Sequence, residues 1–181
     1  YWDLYKNSNT SDKDVFRFTG KAIWNIDKHL KLQGTIGTDI NSMNFEDFIA
    51  KTTPGTPAGK LTDQIFSNRT LNAEILALYN NSWGDFDVNA TAGGNIFKVN
   101  NKTTTNIGLN QQMNGIKNIM NYQEQNTRES MYKKQIGSLY ASASLGYKHT
   151  YYLEGTLRGD KSSTLPSGNN TYIYPSVSGS L

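Results

Sequence analysis

The chain has 181 residues, 36% of them hydrophobic, with a mean hydropathy of −0.62 and a formal charge of +3. No run approaches the roughly eighteen consecutive apolar residues of a spanning helix, so helical insertion is excluded. Cysteine is absent, which removes disulfides and thiolate metal sites, and the basic residues are scattered among acids without a stripe, which argues against nucleic acid as a partner.

From Phe16 the residues alternate. Phe16, Phe18, Gly20, Ala22, Trp24 and Ile26 fall on one side, and Arg17, Thr19, Lys21, Ile23 and Asn25 on the other. Period two with one apolar side reads as a strand with two unlike faces. Asp27, Lys28 and His29 make a short turn. Leu30, Leu32, Gly34, Ile36 and Ile40 then alternate with Lys31, Gln33, Thr35, Asp39 and Asn41, which completes a hairpin. Residues 41–69 are polar and carry the turn signals Pro54-Gly55 and Pro57-Ala58-Gly59, so a long loop is expected there.

Alternation resumes at Leu71, Ala73, Ile75, Ala77 and Tyr79, opposite Asn72, Glu74 and Asn80. A short turn over 81–85 leads to Phe86, Val88, Ala90, Ala92 and Ile96, opposite Asp87, Asn89, Thr91 and Asn95. Residues 98–134 are rich in Asn, Gln and Thr and read as a second long loop, in which Met113, Ile116 and Met120 have the spacing of a short helix. The third hairpin takes Leu139, Ala141, Ala143, Leu145 and Tyr147 through Lys148-His149-Thr150 into Tyr151, Leu153, Gly155 and Leu157. Its other face carries Ser138, Ser142, Ser144, Glu154, Arg158 and Asp160. A loop over 161–171 precedes a last alternating run, 172–181.

The fold class expected over 1–181 is all-β: an antiparallel up-and-down meander of three hairpins and a partial strand, part of a transmembrane β-barrel. Such a barrel needs apolar residues only at alternate positions, so low overall hydropathy does not count against it. Connections that are short on one side and long on the other suit periplasmic turns and extracellular loops, whereas soluble barrels and sandwiches usually have short loops at both ends. Trp24, Tyr79, Trp83, Phe86, Tyr147 and Tyr151 all fall beside the short turns, as an aromatic girdle at the headgroup level would. There is no starting Met, basic n-region or apolar h-region, so the chain is expected to be an internal piece.

The run Ser138-Leu139-Tyr140-Ala141-Ser142-Ala143-Ser144-Leu145-Gly146-Tyr147-Lys148, with Tyr151-Tyr152-Leu153-Glu154-Gly155-Thr156-Leu157-Arg158-Gly159-Asp160 and Ser162-Ser163-Thr164-Leu165-Pro166, resembles the SusC/RagA-type TonB-linked transporters of Bacteroidetes-like bacteria. Asn169-Asn170-Thr171-Tyr172-Ile173-Tyr174-Pro175-Ser176-Val177-Ser178 continues the likeness, and Tyr1-Trp2 with the Asn-rich stretch after it is similar to a segment before a barrel strand. Lys161 departs from the pattern, which has Trp there. The resemblance implies a barrel of about 22 strands around a plug, with the plug and most of the barrel missing from these residues. It implies a bacterial outer-membrane location, uptake of a glycan or peptide nutrient with TonB-derived energy, a SusD-like surface lipoprotein as partner, and no enzymatic role. No cofactor is expected.

The residues expected to form a polar, lumen-facing wall are Arg17, Lys21, Lys31, Asp39, Glu74, Asp87, Glu154, Arg158 and Asp160. Charges inside such a barrel are expected to meet neighbouring lumen charges or the plug more often than substrate. Other patterns carry little. Gly55-Thr56-Pro57-Ala58-Gly59-Lys60 is one residue short of a phosphate loop and has Leu61 where the hydroxyl belongs. Ser130-Met131-Tyr132-Lys133 matches Ser-x-x-Lys without its partner motifs. His29 and His149 sit in short turns, with too few companions for a metal site. Asn-x-Ser/Thr patterns such as those at Asn68 and Asn101 imply nothing in a bacterial protein. Two alternatives stay open: a soluble β-rich carbohydrate-binding module, and another porin-like outer-membrane barrel.

Overall fold

The computed structural model describes residues 6–181; Tyr1 and Trp2 lie outside the described residues. Seven strands follow one another: β1 (Ser8–Asn25), β2 (Leu30–Ile49), β3 (Lys60–Trp83), β4 (Phe86–Gln111), β5 (Tyr122–Tyr147), β6 (Tyr151–Ser162) and β7 (Thr171–Ser180). They form one sheet in the order β1-β2-β3-β4-β5-β6-β7. This is the expected up-and-down meander. Where the register is resolved, it is antiparallel and unbroken: Ala141 faces Leu157 and Leu145 faces Leu153 across β5–β6, while Leu157 faces Pro175 and Gly155 faces Val177 across β6–β7. Cross-strand partners point to the same side, so the apolar sets of the three strands share one face.

The strands are longer than alternation implied. Residues 41–49 and 60–69, expected as loop, extend β2 and β3, and residues 98–111 and 122–134 extend β4 and β5. The physical reason is that the ladder of backbone hydrogen bonds continues whether or not one side of the strand is uniformly apolar. The possible helix near Met113 is only a 3-10 turn, Ile119–Asn121. Lys60 opens a strand, so no helix N-terminus stands behind the glycine-rich segment 55–60, and Ser130 and Lys133 lie inside β5 rather than at a loop junction.

The chain divides into two compact units. The first contains the described residues up to Phe16, Asp39–Arg69 and Asn100–Tyr132. Its small core is Phe48, Ala50, Leu61 and Tyr122, all nearly inaccessible. The connections 50–59 and 112–121 are ordered parts of this unit. Thr52, Gly55 and Gly59 have positive φ, and a side chain on Gly59 would also press on the Ile49 carbonyl and Gln111. The Gln111 N–H donates to the Ala58 carbonyl at 2.9 Å, joining the two connections. Asn121 organises the second one, donating to the Met113 and Ile116 carbonyls at 2.7 and 3.0 Å and accepting from the Met113 N–H at 3.0 Å. Lys117 reaches Ser8 at 2.7 Å and Glu46 at 3.4 Å, over the ring of Phe48.

The second unit contains Arg17–Thr38, Thr70–Val99 and Lys133–Leu181, and holds the short turns. At the β1–β2 turn the Asp27 carboxylate accepts the backbone N–H groups of His29 and Leu30 at 2.6 and 2.8 Å. These two bonds, the His29 N–H first, hold its carboxyl below the ordinary 3.8. A depressed carboxylate stabilises its turn above the ordinary value and loses that effect as acid protonates it. Near neutral pH, Asp27→Ala is therefore expected to speed backbone hydrogen exchange across 25–31, measured by mass spectrometry on the full-length protein. Unchanged exchange there would show that the carboxylate does not hold the turn. Gly84 supplies the positive φ of the two-residue β3–β4 turn. Lys148 and His149 also adopt left-handed backbone, and neighbouring groups hold them there: Lys148 N–H donates to the Asp85 carbonyl at 2.8 Å, and His149 Nδ1 lies 2.8 Å from Asp87.

Candidate functional site

Two faces of the second unit differ in chemistry. One carries Phe18, Trp24, Ile36, Ile75, Ile96, Leu139, Leu145, Leu157, Ile173 and Val177, all exposed; Ile75 is 62% accessible, Leu139 74% and Val177 79%. A soluble sheet covers such a face with a second layer. Among the described residues there is one layer only. The aromatic residues Trp24, Tyr79, Trp83, Phe86, Tyr147 and Tyr151 stand on this face at the short-turn end, with Phe86 and Tyr147 rings 4.9 Å apart and Tyr147 and Tyr151 rings 6.5 Å apart. From Phe86 to Ile96 β4 climbs about 33 Å at the usual rise. A barrel tilt near 40° reduces that to about 25 Å, the height of the apolar band in outer-membrane barrels.

The opposite face carries the polar residues, and part of the expected wall is drawn together there. Ser138 and Asp160 are cross-strand partners, as are Tyr140 and Arg158. Arg158 binds Asp160 through Nε at 2.9 and 3.1 Å, reaches Ser138 Oγ at 3.2 Å with Nη2, and lies over the Tyr140 ring at 5.6 Å. The Tyr140 hydroxyl donates to the Glu74 carboxylate on β3, two strands away. It can do so because Gly93 on the intervening β4 has no side chain. A Cβ there would lie 2.6 Å from both the Ile75 carbonyl oxygen and Leu76 Cδ2, and 3.2 Å from the Tyr140 ring. Glu74, Tyr140, Arg158, Asp160 and Ser138 thus form one network over three strands.

Tyr140→Phe removes the bond to Glu74 and leaves its carboxylate short of a donor. A loss of about 1–2 kcal/mol in folding stability is expected, read from the urea midpoint of the full-length protein in lipid vesicles. Glu74→Gln keeps an acceptor and should lose less. Equal losses from both variants would show that the carboxylate charge, not the hydroxyl bond, dominates.

Asp87 lies in a second polar group. It accepts from Ser82 Oγ at 2.6 Å and meets His149, and it lines a hollow of about 590 Å³ with Lys28, His29, Asn80, Asn89 and Tyr152. Both histidines therefore share this hollow, and His29 Nδ1 lies 3.0 Å from the Asn80 carbonyl. No metal-binding group of three or more His, Cys, Asp or Glu exists among the described residues. Lys21, Lys31 and Glu154 stay exposed and outside the Arg158 network, as does Arg17; Asp39 is half-buried and belongs to the first unit. Sequence reading missed Tyr140, Ser138 and Gly93 as partners. The signal was the polar-face parity of Tyr140 together with the paired Gly93-Gly94.

No family model matches the chain, and no curated protein matches it. Solved structures do. A structure of the RagAB peptide transporter matches over 99% of this chain and 21% of its own, with a TM-score of 0.91 at 17% identity. The RagAB peptide importer in its closed-closed state matches over 96% and 20%, with a TM-score of 0.89 at 17% identity. In its open-open state the values are 99% and 20%, 0.86 and 18%. The chain spans about a fifth of the length of the structures it matches. What is shared at this identity is architecture: the chain has the fold of the matched portion of the RagAB structures, a seven-stranded antiparallel meander.

Proposed function

We propose that this chain is a wall segment of an outer-membrane transporter of bacteria, in which the apolar face meets lipid and the polar face lines the lumen. The observation that carries this is the single-layer sheet with its large apolar side chains exposed on one face and aromatics at one end of it. A soluble carbohydrate-binding module would bury that face. The RagAB structures are of a peptide transporter, which favours a peptide over a glycan as the imported nutrient. In the full-length protein a plug inside the barrel, TonB-derived energy and a SusD-like lipoprotein lid complete the reading. The wall residues Arg17, Lys21, Lys31, Asp39, Glu74, Asp87, Glu154, Arg158 and Asp160 then set the lumen's charge, bind no cofactor and catalyse nothing. Arg158, already occupied by Asp160 and Ser138, serves wall geometry rather than direct substrate capture.

The test uses cysteine labels in the full-length protein in vesicles. Nitroxides at Phe18 and Ala22 are expected to feel a lipid-soluble quencher, and those at Thr19 and Lys21 are not. Equal accessibility at all four overturns the face assignment. An epitope placed near Gly59 should be visible on intact cells and one at Lys28 hidden; the reverse would invert the topology.

A further inference from the structure

The apolar face of the second unit ends, away from the short turns, in lysines. Lys98 on β4 follows Ile96 by one pleat on the same side. Lys161 on β6 faces Gly137 of β5 and Thr171 of β7, two pleats beyond Leu157 on that side. Lys133 on β5 is three pleats beyond Leu139. Gly94 lies against the Leu139 side chain and the Ser138 carbonyl, so β4 and β5 are in register there. Carried along the strands, that register sets Lys98 opposite Gln135, with Lys133 one pleat further. Diagonal neighbours of this kind lie about 7–8 Å apart.

All three lysines are exposed, and none has an ion pair or side-chain hydrogen bond among the described residues. Glu129, four residues before Lys133 on the same side of β5, is held by Lys102 at 2.8 Å, and Glu154 and Asp160 point to the opposite face, where they partner Ser144 and Ser138. By the same register the Lys161 backbone is about 12 Å from Lys98 and about 14 Å from Lys133, within the joint reach of their side chains, so three unpaired ammonium groups lie past Ile96, Leu139 and Leu157. That is the depth of lipid phosphates, and Lys stems can lie along the apolar surface while the charged ends reach that layer.

We infer that Lys98, Lys133 and Lys161 form a binding site for the phosphate head of an anionic lipid held against the outside of the wall. This rests on the lipid-facing reading of the apolar face, and the proposed topology puts the lipid in the outer leaflet. Charge complementarity selects the headgroup, and the adjoining apolar band at Ile96, Leu139 and Leu157 receives the acyl chains. The residues serve retention of a boundary lipid, not transport through the lumen.

The experiment reads lipid selectivity of the full-length protein in phosphatidylcholine vesicles by electron spin resonance, comparing spin-labelled phosphatidylglycerol with spin-labelled phosphatidylcholine. The expected preference for phosphatidylglycerol is roughly fivefold at low salt, falling as salt is raised. The triple change Lys98→Gln, Lys133→Gln and Lys161→Gln should bring it near unity. The triple Lys-to-Arg variant should retain it, as should Lys134→Gln, one residue from Lys133 on the other face, and Lys28→Gln in a short turn. Should the triple Gln variant fold poorly, the three single variants should each lower the preference in part. No preference in the unchanged protein, or a preference the Gln variants leave intact, overturns the inference. So does abolition of the preference by inorganic phosphate but not by chloride of equal ionic strength, because the site would then take a soluble anion. If instead neither labelled lipid is immobilised and the Ala22 nitroxide is shielded from lipid, the membrane reading itself fails.

Discussion

Ala92→Arg is expected to destabilise the full-length protein in lipid by about 2–4 kcal/mol, a factor of roughly thirty to nine hundred in the folding equilibrium. Ala92 stands on the apolar face near the middle of the β4 climb from Phe86 to Ile96, and it is exposed. A guanidinium there must enter hydrocarbon or drag water and headgroups inward. Thr91, one residue earlier, faces the other way. Thr91→Arg puts the same charge on the polar side and should change stability by no more than about 0.5 kcal/mol. Both variants are compared by urea unfolding in vesicles. Equal effects would mean that both faces of β4 have the same surroundings, which no membrane wall allows.

The second large effect is expected at Gly93, the next residue. Gly93→Ala should lower stability by about 1–3 kcal/mol, the range for overpacking a close-fitted site. The added methyl meets the Ile75 carbonyl oxygen at 2.6 Å, and a backbone atom in a sheet ladder cannot retreat cheaply. Leu76 and Tyr140 crowd the same point, so the Tyr140–Glu74 bond should loosen too. Gly155→Ala is the control: nothing lies within 4 Å of its added methyl, and the change should be nearly neutral. If Gly93→Ala behaves like Gly155→Ala, then Tyr140 does not lie over β4 as described.

The three hairpins and their turns were legible because period-two alternation is a local property, carried by residues such as Phe86, Val88, Ala90 and Ala92 over a single strand. The distal strand segments were not legible. Residues 41–49 put Phe48 on the side opposite Met43, Phe45 and Ile49, and 122–134 are mostly polar, so neither segment shows one continuous apolar side, although the backbone pairs just as well. The order within 112–121 was hidden for another reason. It depends on Asn121 reaching the Met113 and Ile116 carbonyls within the segment and on Lys117 reaching Ser8 and Glu46 far away in sequence, and composition alone reads such stretches as loop.

The candidate wall divides the same way. Parity along each strand placed Glu74, Arg158 and Asp160 on the polar side without any structure, since side chains must alternate across a pleated ladder. Which of these charges meet was decided by register and by the strands between them. Glu74 is reached only because β5 lies one strand beyond β4, because Tyr140 is long enough to cross, and because position 93 has no side chain. The sequence by itself determined a two-faced meander, since facing is periodic and local. The network over Gly93, the pairing of Arg158 with Asp160 and Ser138, and the gathering of Lys98, Lys133 and Lys161 at one end of the apolar face were decided by tertiary structure. Each needs the relative shift of neighbouring strands, which no single strand's pattern contains.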